Sequence, residues 1–256
     1  GIHGSPTCVM AYGDKGGAIG WLIGQENKGL ACMFTMMNSA RLSVGLQGVA
    51  LSERATQHAL AYARERKQGR APNSTSPAGA MDAIVHHPDI ARTLMTMRAT
   101  TDAVRAICYA TAGALDRSHR LSDPAEKKKA AERNALLTPI AKAFSTDASN
   151  EVASMGVQAH GGMGFIEETG AAQFMRDVRI AAIYEGTNGI QAIDLATRKL
   201  PLSGGETVRG EIADMRATVE KLRGSNAPEL TDMAKPLGDA VESLARATDY
   251  MLNALG

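Results

Sequence analysis

Aromatic residues are scarce: one Trp, four Phe and five Tyr make up 4% of the 256-residue chain. Large rings therefore cannot dominate the core. With 13 Met and 44% hydrophobic content, the composition points to helices packed through Ala, Leu and Met. Cysteine is scarce too. Cys8, Cys32 and Cys108 are odd in number and far apart, which excludes a disulfide framework and gives no metal or redox spacing. They read as buried, reduced thiols of a cytoplasmic protein. No apolar run approaches the ~18 residues of a membrane-spanning helix, and the N-terminus lacks a charged-then-apolar signal pattern. Charge of one sign is also missing: the net charge is +1 with both signs interspersed, so nothing draws the chain to nucleic acid or to an anionic membrane. His86 and His87 are adjacent, their side chains diverge, and no acidic or Cys partner follows one turn later, so no metal site is expected.

The chain has no initiator Met, and Gly1 opens inside what reads as structure. Residues 1–29 differ from the rest. CVMAY and AIGWLIG are short β-prone runs around the turn-like Gly13-Asp14-Lys15-Gly16-Gly17. Two strands alone are marginal in water, so this piece is expected to end a β domain whose body lies upstream. The expected fold class is all-α: a helical bundle with that β remnant in front and an extra helical pair behind. The domains are expected at 1–29, 30–200 and 201–256.

Apolar spacing predicts a first long helix over 30–68, with glycines 45 and 48 inside it at a cost of about 1 kcal/mol each against alanine. Close helix packing explains glycines there. Arg41 lies among apolar neighbours on this helix, where an arginine snorkels, pairs or serves a site. A Pro/Gly/Ser-rich loop follows at 71–87. Pro88 and Asp89 start a second helix to about Leu115, then a polar connector. A third helix follows Pro124, and Pro139 inside it is expected to kink or split it. Helices are expected again at 190–199, 206–222 and 229–255.

One stretch stands apart: residues 158–191, QAHGGMGFIEETGAAQFMRDVRIAAIYEGTNGIQ. It opens on Gly161, Gly162 and Gly164 and closes on one carboxylate, Glu185. The glycines make no dinucleotide fingerprint, because no β-branched strand precedes them and no acid follows at the right distance. As helix stops and turns they are ordinary, and as points where a ligand approaches the backbone they are a weak signal. A general base needs a carboxylate in an apolar setting. Ile180, Ala181, Ala182, Ile183 and Tyr184 precede Glu185, and a glycine follows. A carboxylate just before a helix also caps exposed N–H groups. Spacing alone leaves base and cap evenly matched.

IYEGTNGIQ, together with QAHGGMGF and FMRDVRIAAIYEGT upstream, resembles the signature region of the flavin-dependent acyl-CoA dehydrogenases. Two further matches lie in the right order. NSARLSVGLQGVALSERATQHALAYARERKQG resembles that family's long helix, with an arginine near its start and an Arg-x-x-Phe-Gly ending. GSPTCVMAYGDKGGAIGWLIGQENKGL resembles the end of its β domain. The likeness covers about residues 1–200. The connector around 117–135 and the tail after 200 resemble the larger branch, whose members act on varied acyl-CoAs, 3-methylmercaptopropionyl-CoA among them.

The resemblance implies a fold of N-terminal helical, middle β and C-terminal helical-bundle domains, assembled as a homodimer or homotetramer. It implies FAD as cofactor and α,β-dehydrogenation of an acyl-CoA thioester to a 2,3-enoyl-CoA, the α-proton going to a glutamate and the β-hydride to the flavin. An electron-transfer flavoprotein would take the electrons on. A relative that passes electrons to oxygen, an acyl-CoA oxidase, is one alternative; an inactive helical oligomerisation module is another. Carried over by position, Glu185 is the catalytic base. Some branches place the base on the long helix, at the position of Ala40, and alanine cannot do that work. Tyr184 lines the substrate pocket and Arg41 orders the substrate or the catalytic centre. Arg66 and Gln68 reach FAD phosphates; Gln158, Gly161 and Gly162 approach the cofactor of a neighbouring subunit; Thr187 contacts FAD near its pyrophosphate. The backbone N–H of Glu185 and a flavin hydroxyl are the donors to the developing enolate. Three positions depart from the family pattern: no phenylalanine precedes Gly69, Gly189 stands in place of a frequent glutamine, and Asn38 in place of a frequent aspartate.

Overall fold

Helix starts are written into this chain as proline and aspartate, and the structure uses them. In a computed structural model, which describes Ile2 and residues 4–255, Pro88 and Pro124 each open a long helix as its first residue. Proline is suited to that position because its missing N–H would have no partner there. Asp123 caps the second of these helices, its Oδ1 accepting from the amides of Ala125 (2.8 Å) and Glu126 (3.0 Å). Gly1, His3 and Gly256, the outermost positions of the expected first and last domains, lie outside the described residues.

The helices are α1 (Gly29–Glu65), α2 (Pro88–Arg120), α3 (Pro124–His160), α4 (Gly162–Phe165), α5 (Ala171–Arg179), α6 (Asn188–Asp194), α7 (Glu206–Arg223) and α8 (Pro228–Leu255). Short 3-10 turns link several of them, and a π-type turn continues α6 over Leu195–Lys199. No sheet forms among the described residues; one isolated antiparallel bridge joins Lys67 and Ala83.

The two β-prone runs of the first segment do not become strands. Two strands alone are marginal in water, and among the described residues no further strand is offered. Their apolar side chains stay in solvent: Trp21 is 84% exposed and Ile19 87%. Cys8, in the first of these runs, and Cys32, in the first turn of the following helix, are exposed, so of the three thiols expected to be buried only Cys108 is.

Two helix ends differ from the expected ones. α1 stops at Glu65 and not at Gln68, because the next residues bond elsewhere: Ile84 N–H donates to the Arg66 carbonyl (2.8 Å) and Gln68 N–H to the Asp82 carbonyl (3.0 Å). α2 runs on to Arg120; its last turn carries Arg117 and Arg120, cations that suit the negative end of a helix dipole. Pro139 does not split α3, which stays one helix through it. The proline is fully buried, and packing offsets the lost amide.

The chain divides into two compact units, Gly1–Tyr109 with Ala141–Asn188, and Ala110–Ile140 with Gly189–Gly256. The first packs Ala55, Ala59 and Ala63 of α1 against Leu94 and Met97 of α2 and Val152 and Ala159 of α3. Small residues on α1 let the helix axes approach, and Met97 fills the space an aromatic would take elsewhere. The second unit packs Val208, Ile212 and Val219 of α7 on Val241 and Ala245 of α8, with Leu136. Each of these Val, Ile and Leu side chains contributes about 1.5–3 kcal/mol when buried. No helix among the described residues is long and apolar enough to cross a membrane.

Candidate functional site

Glu185 sits on a turn that only a particular sequence can make. After the 3-10 turn Ile180–Ala182, the amides of Ile183 and Tyr184 both return to the Ile180 carbonyl (2.9 and 3.1 Å). The chain then takes two consecutive residues with positive φ, Glu185 at +56° and Gly186 at +84°. Glycine enters that region freely; a glutamate does so at a cost of order 1–3 kcal/mol. The surroundings therefore hold it there. Below the turn, the ammonium of Lys142 on α3 donates to the Gly186 carbonyl (2.9 Å) and to Asn188 Oδ1 (2.8 Å). Asn188 in turn donates through Nδ2 to Asp147 Oδ1 (2.7 Å), Thr146 Oγ1 (3.0 Å) and the Ala143 carbonyl (3.3 Å). From the other side, the Tyr184 hydroxyl donates to Gln47 Oε1 on α1.

Lys142 has no exposed surface. Burial pushes its ammonium down to about 8, attraction to Asp147 opposes that shift, the charge of Arg41 adds to it, and Glu185 opposes it. Arg41, Lys142 and Glu185 thus share one electrostatic neighbourhood. Arg41 is itself buried on α1. Arg41, Tyr184 and Glu185, picked out in the sequence, are joined there by Lys142, Asn188 and Gln47, which sequence reasoning passed over. The signal for Lys142 was present: a lone lysine in the otherwise uncharged run from 134 to 146.

A second feature lies at the C-terminal end of α1. A cavity of about 630 Å³ is lined by Arg66, Gln68, Gln158, His160, Gly161 and Gly162, among others. The bridge between 67 and 83 fixes Arg66 and Gln68 at its edge, and His87 Nε2 donates to the Gln68 carbonyl (2.9 Å). Five of the six expected cofactor residues are brought together here. The sixth, Thr187, lies exposed on the Glu185 turn and does not line the cavity.

The three glycines of the cluster separate by their surroundings. A Cβ on Gly164 would fall 2.2 Å from the Val157 carbonyl oxygen, so that glycine exists for packing. A Cβ on Gly161 or Gly162 would meet nothing within 4 Å among the described residues. Gly161 has φ +61° and ψ −142°, a conformation open essentially to glycine alone. These two present bare backbone to the cavity.

His160, 4% exposed, donates through Nδ1 to the Gly156 carbonyl (2.7 Å), stacks on Tyr62 (ring centroids 4.4 Å) and packs beside His58 (4.6 Å). Its buried Nε2 has no partner among the described residues. Burial and the neighbouring His160 push His58 down from its ordinary value.

A guanidinium, two side-chain amides, bare glycine backbone and an orphaned ring nitrogen fit a ligand that carries phosphates and heteroaromatic acceptors. The residues present are therefore compatible with the diphosphate-bearing flavin cofactor expected above.

The family described as acyl-CoA dehydrogenase, C-terminal domain, matches residues 27–200. A 3-methylmercaptopropionyl-CoA dehydrogenase of Ruegeria pomeroyi is 48% identical over 257 residues, covering 100% of this chain and 42% of that protein. A butyryl-CoA dehydrogenase of Syntrophomonas wolfei is 36% identical over 226 residues, 85% of this chain and 37% of that protein. Among solved structures, butyryl-CoA dehydrogenase from Megasphaera elsdenii superposes with a TM-score of 0.51 at 25% identity, covering 67% of this chain and 39% of that one. The chain thus spans well under half the length of these relatives.

Proposed function

This chain belongs to the acyl-CoA dehydrogenase family, and on that premise we propose that it carries the catalytic base and part of the flavin site of an enzyme that dehydrogenates acyl-CoA thioesters. In this reading residues 1–29 end a middle β domain, 30–200 form the C-terminal bundle and 201–256 are a helical extension. The observation that carries the proposal is Glu185: a half-buried carboxylate held at φ +56° beside the buried Arg41 and Lys142.

Glu185 takes the α-proton of the thioester onto its carboxylate. The thioester carbonyl oxygen, where charge develops as that proton leaves, is met by the backbone N–H of Glu185. Tyr184, tethered to Gln47, forms a wall for the acyl chain, and Arg41 orders the centre. Bound FAD would supply the two-electron acceptor for the hydride leaving the β-carbon. Arg66, Gln68, Gln158, Gly161 and Gly162 would hold it through its phosphates and adjacent groups, Thr187 would touch it near the pyrophosphate, and a neighbouring copy in a homodimer or homotetramer would share the site. An electron-transfer flavoprotein in the cytoplasm would receive the electrons.

The test is Glu185→Gln in the full-length protein. The variant should keep its flavin absorbance and lose α-proton exchange with D₂O on butyryl-CoA, together with turnover. Exchange at the wild-type rate would show that Glu185 is not the base.

A further inference from the structure

We propose that Lys142 is the positioning residue of this site: buried on α3, it holds the Glu185 turn in its left-handed conformation by gripping the carbonyl of Gly186 and the side chain of Asn188. This rests on the reading of Glu185 as the base and assigns to that base the group that aims it.

A glutamate at φ +56° is strained, and strain persists only where neighbours over-determine the backbone. Two of the bonds that do so come from one ammonium. Lys142 Nζ donates to the carbonyl of the residue directly after Glu185 (2.9 Å) and to Asn188 Oδ1 (2.8 Å). Asn188 is itself tied to Ala143, Thr146 and Asp147 on the next turn of α3. The Thr146 hydroxyl closes the knot, donating to the Lys142 carbonyl (2.8 Å). The strained turn is thereby fastened to the middle of a long helix.

The chemistry favours a positioning role over a purely structural one. A fully buried lysine pays desolvation, and an apolar side chain of similar length would fill the space without that cost. Gly186 and Asn188 could rest against a methionine; the ammonium adds a directional grip on one carbonyl oxygen. Its charge also lies close enough to Glu185 for each to feel the other, so the grip acts on the side of the turn where the carboxylate is needed. Proton abstraction demands a fixed donor–acceptor geometry, and a misplacement of about 1 Å costs on the order of 10²-fold in rate.

The experiment compares Lys142→Met, Lys142→Arg and Glu185→Gln in the full-length holoenzyme, with butyryl-CoA as substrate and a ferrocenium dye as acceptor. Lys142→Met should lower kcat about 10²-fold while KM and flavin content stay at wild-type values. Lys142→Arg, which restores a charged donor, should recover part of kcat. A kcat for Lys142→Met within about twofold of wild type, or a parallel loss of kcat, KM and flavin that Lys142→Arg does not relieve, overturns the proposal. Glu185→Gln separates the two readings. If it retains turnover, the base assignment fails whatever Lys142 does. If it is inactive while Lys142→Met is not, the base stands and the positioning role fails. Should Lys142→Met not fold, Asn188→Ala decides: it leaves the ammonium and removes its second acceptor. A fall in kcat of about tenfold at unchanged KM supports the proposal, and wild-type kcat overturns it.

Discussion

Gly48 of α1 and Ser145 of α3 touch backbone to backbone: a Cβ on Gly48 would lie 2.9 Å from the Ser145 carbonyl oxygen and 2.7 Å from the Ser149 hydroxyl. The hydroxyl could turn away, but the carbonyl belongs to a helix and cannot. Gly45 is nearly as tight, with the Ala141 carbonyl oxygen 3.1 Å from such a Cβ. Both glycines weaken α1 as an isolated helix and are kept because α3 passes so close. Gly48→Ala should therefore destabilise the chain in spite of alanine's better helix propensity. Overpacking of about 1–3 kcal/mol outweighs a gain of about 1 kcal/mol. Thermal unfolding of this chain should show a fall of a few degrees, and an unchanged or higher Tm would contradict the contact.

What could be read in the sequence follows the range of the forces involved. Helix periodicity and the prolines at 88 and 124 are local, and the long helices stand where they were expected. The glycine packing of α1 was also legible, since interior glycines in a periodic helix have few other uses. Chain ends of helices were less so: α1 stops at Glu65 because Arg66 and Gln68 bond to 82–84, a partnership no local pattern announces. For Lys142 the uncharged run around it hinted at burial, but nothing local named its partners. Gly186 and Asn188 lie more than forty positions away. Spacing could not separate Gly164 from Gly161 and Gly162 either, because the difference lies in what approaches each from other turns.

The loop before α2 is predicted to be pinned by one carboxylate. Asp82 accepts from Ser76 Oγ (2.6 Å), Ala71 N–H (2.7 Å) and Ser74 Oγ (2.9 Å). The two serine hydroxyls, then the Ala71 amide, hold its carboxyl down at about 2. A depressed carboxylate contributes stability that is complete above its unfolded value near 3.9 and is lost as pH falls toward 2. Asp82→Asn should open residues 71–83 to limited proteolysis at pH 7. Wild type and variant should differ progressively less in stability from pH 4 to pH 2. A difference that persists undiminished at pH 2 would mean that the charge is not what pins the loop.

Gly162 offers a test of the proposed cofactor cradle that leaves the fold alone. It begins α4, its φ is not positive, and a Cβ there would meet nothing within 4 Å among the described residues. Gly162→Ala should therefore leave the Tm of this chain unchanged. In the full-length holoenzyme the added methyl would stand between backbone and flavin. Retention of FAD should weaken about tenfold, equivalent to about 1.4 kcal/mol, as read by flavin absorbance after gel filtration. Gly161→Ala is the less informative variant, since strain at φ +61° would lower stability with or without a ligand. Full flavin retention by Gly162→Ala would place the cofactor elsewhere.

Lys142 also predicts a specific pH dependence of stability. Its folded-state value is about 8, below the ordinary 10.5, because burial disfavours the ammonium and the Asp147 and Glu185 charges only partly compensate. Between pH 8 and 10.5 the unfolded chain holds a proton that the folded chain has released, so stability rises with pH across that window. Complete expression of the shift would amount to at most about 3 kcal/mol. In Lys142→Met the group is gone and so is the rise. Urea unfolding of wild type and variant at pH 8 and at pH 10 isolates this contribution, because every other titrating group is common to both chains. Wild type should gain stability relative to the variant on going to pH 10. Parallel behaviour at the two pH values would mean that the lysine is solvated in the folded chain, and a solvated lysine could not hold the Gly186 carbonyl as the structure shows.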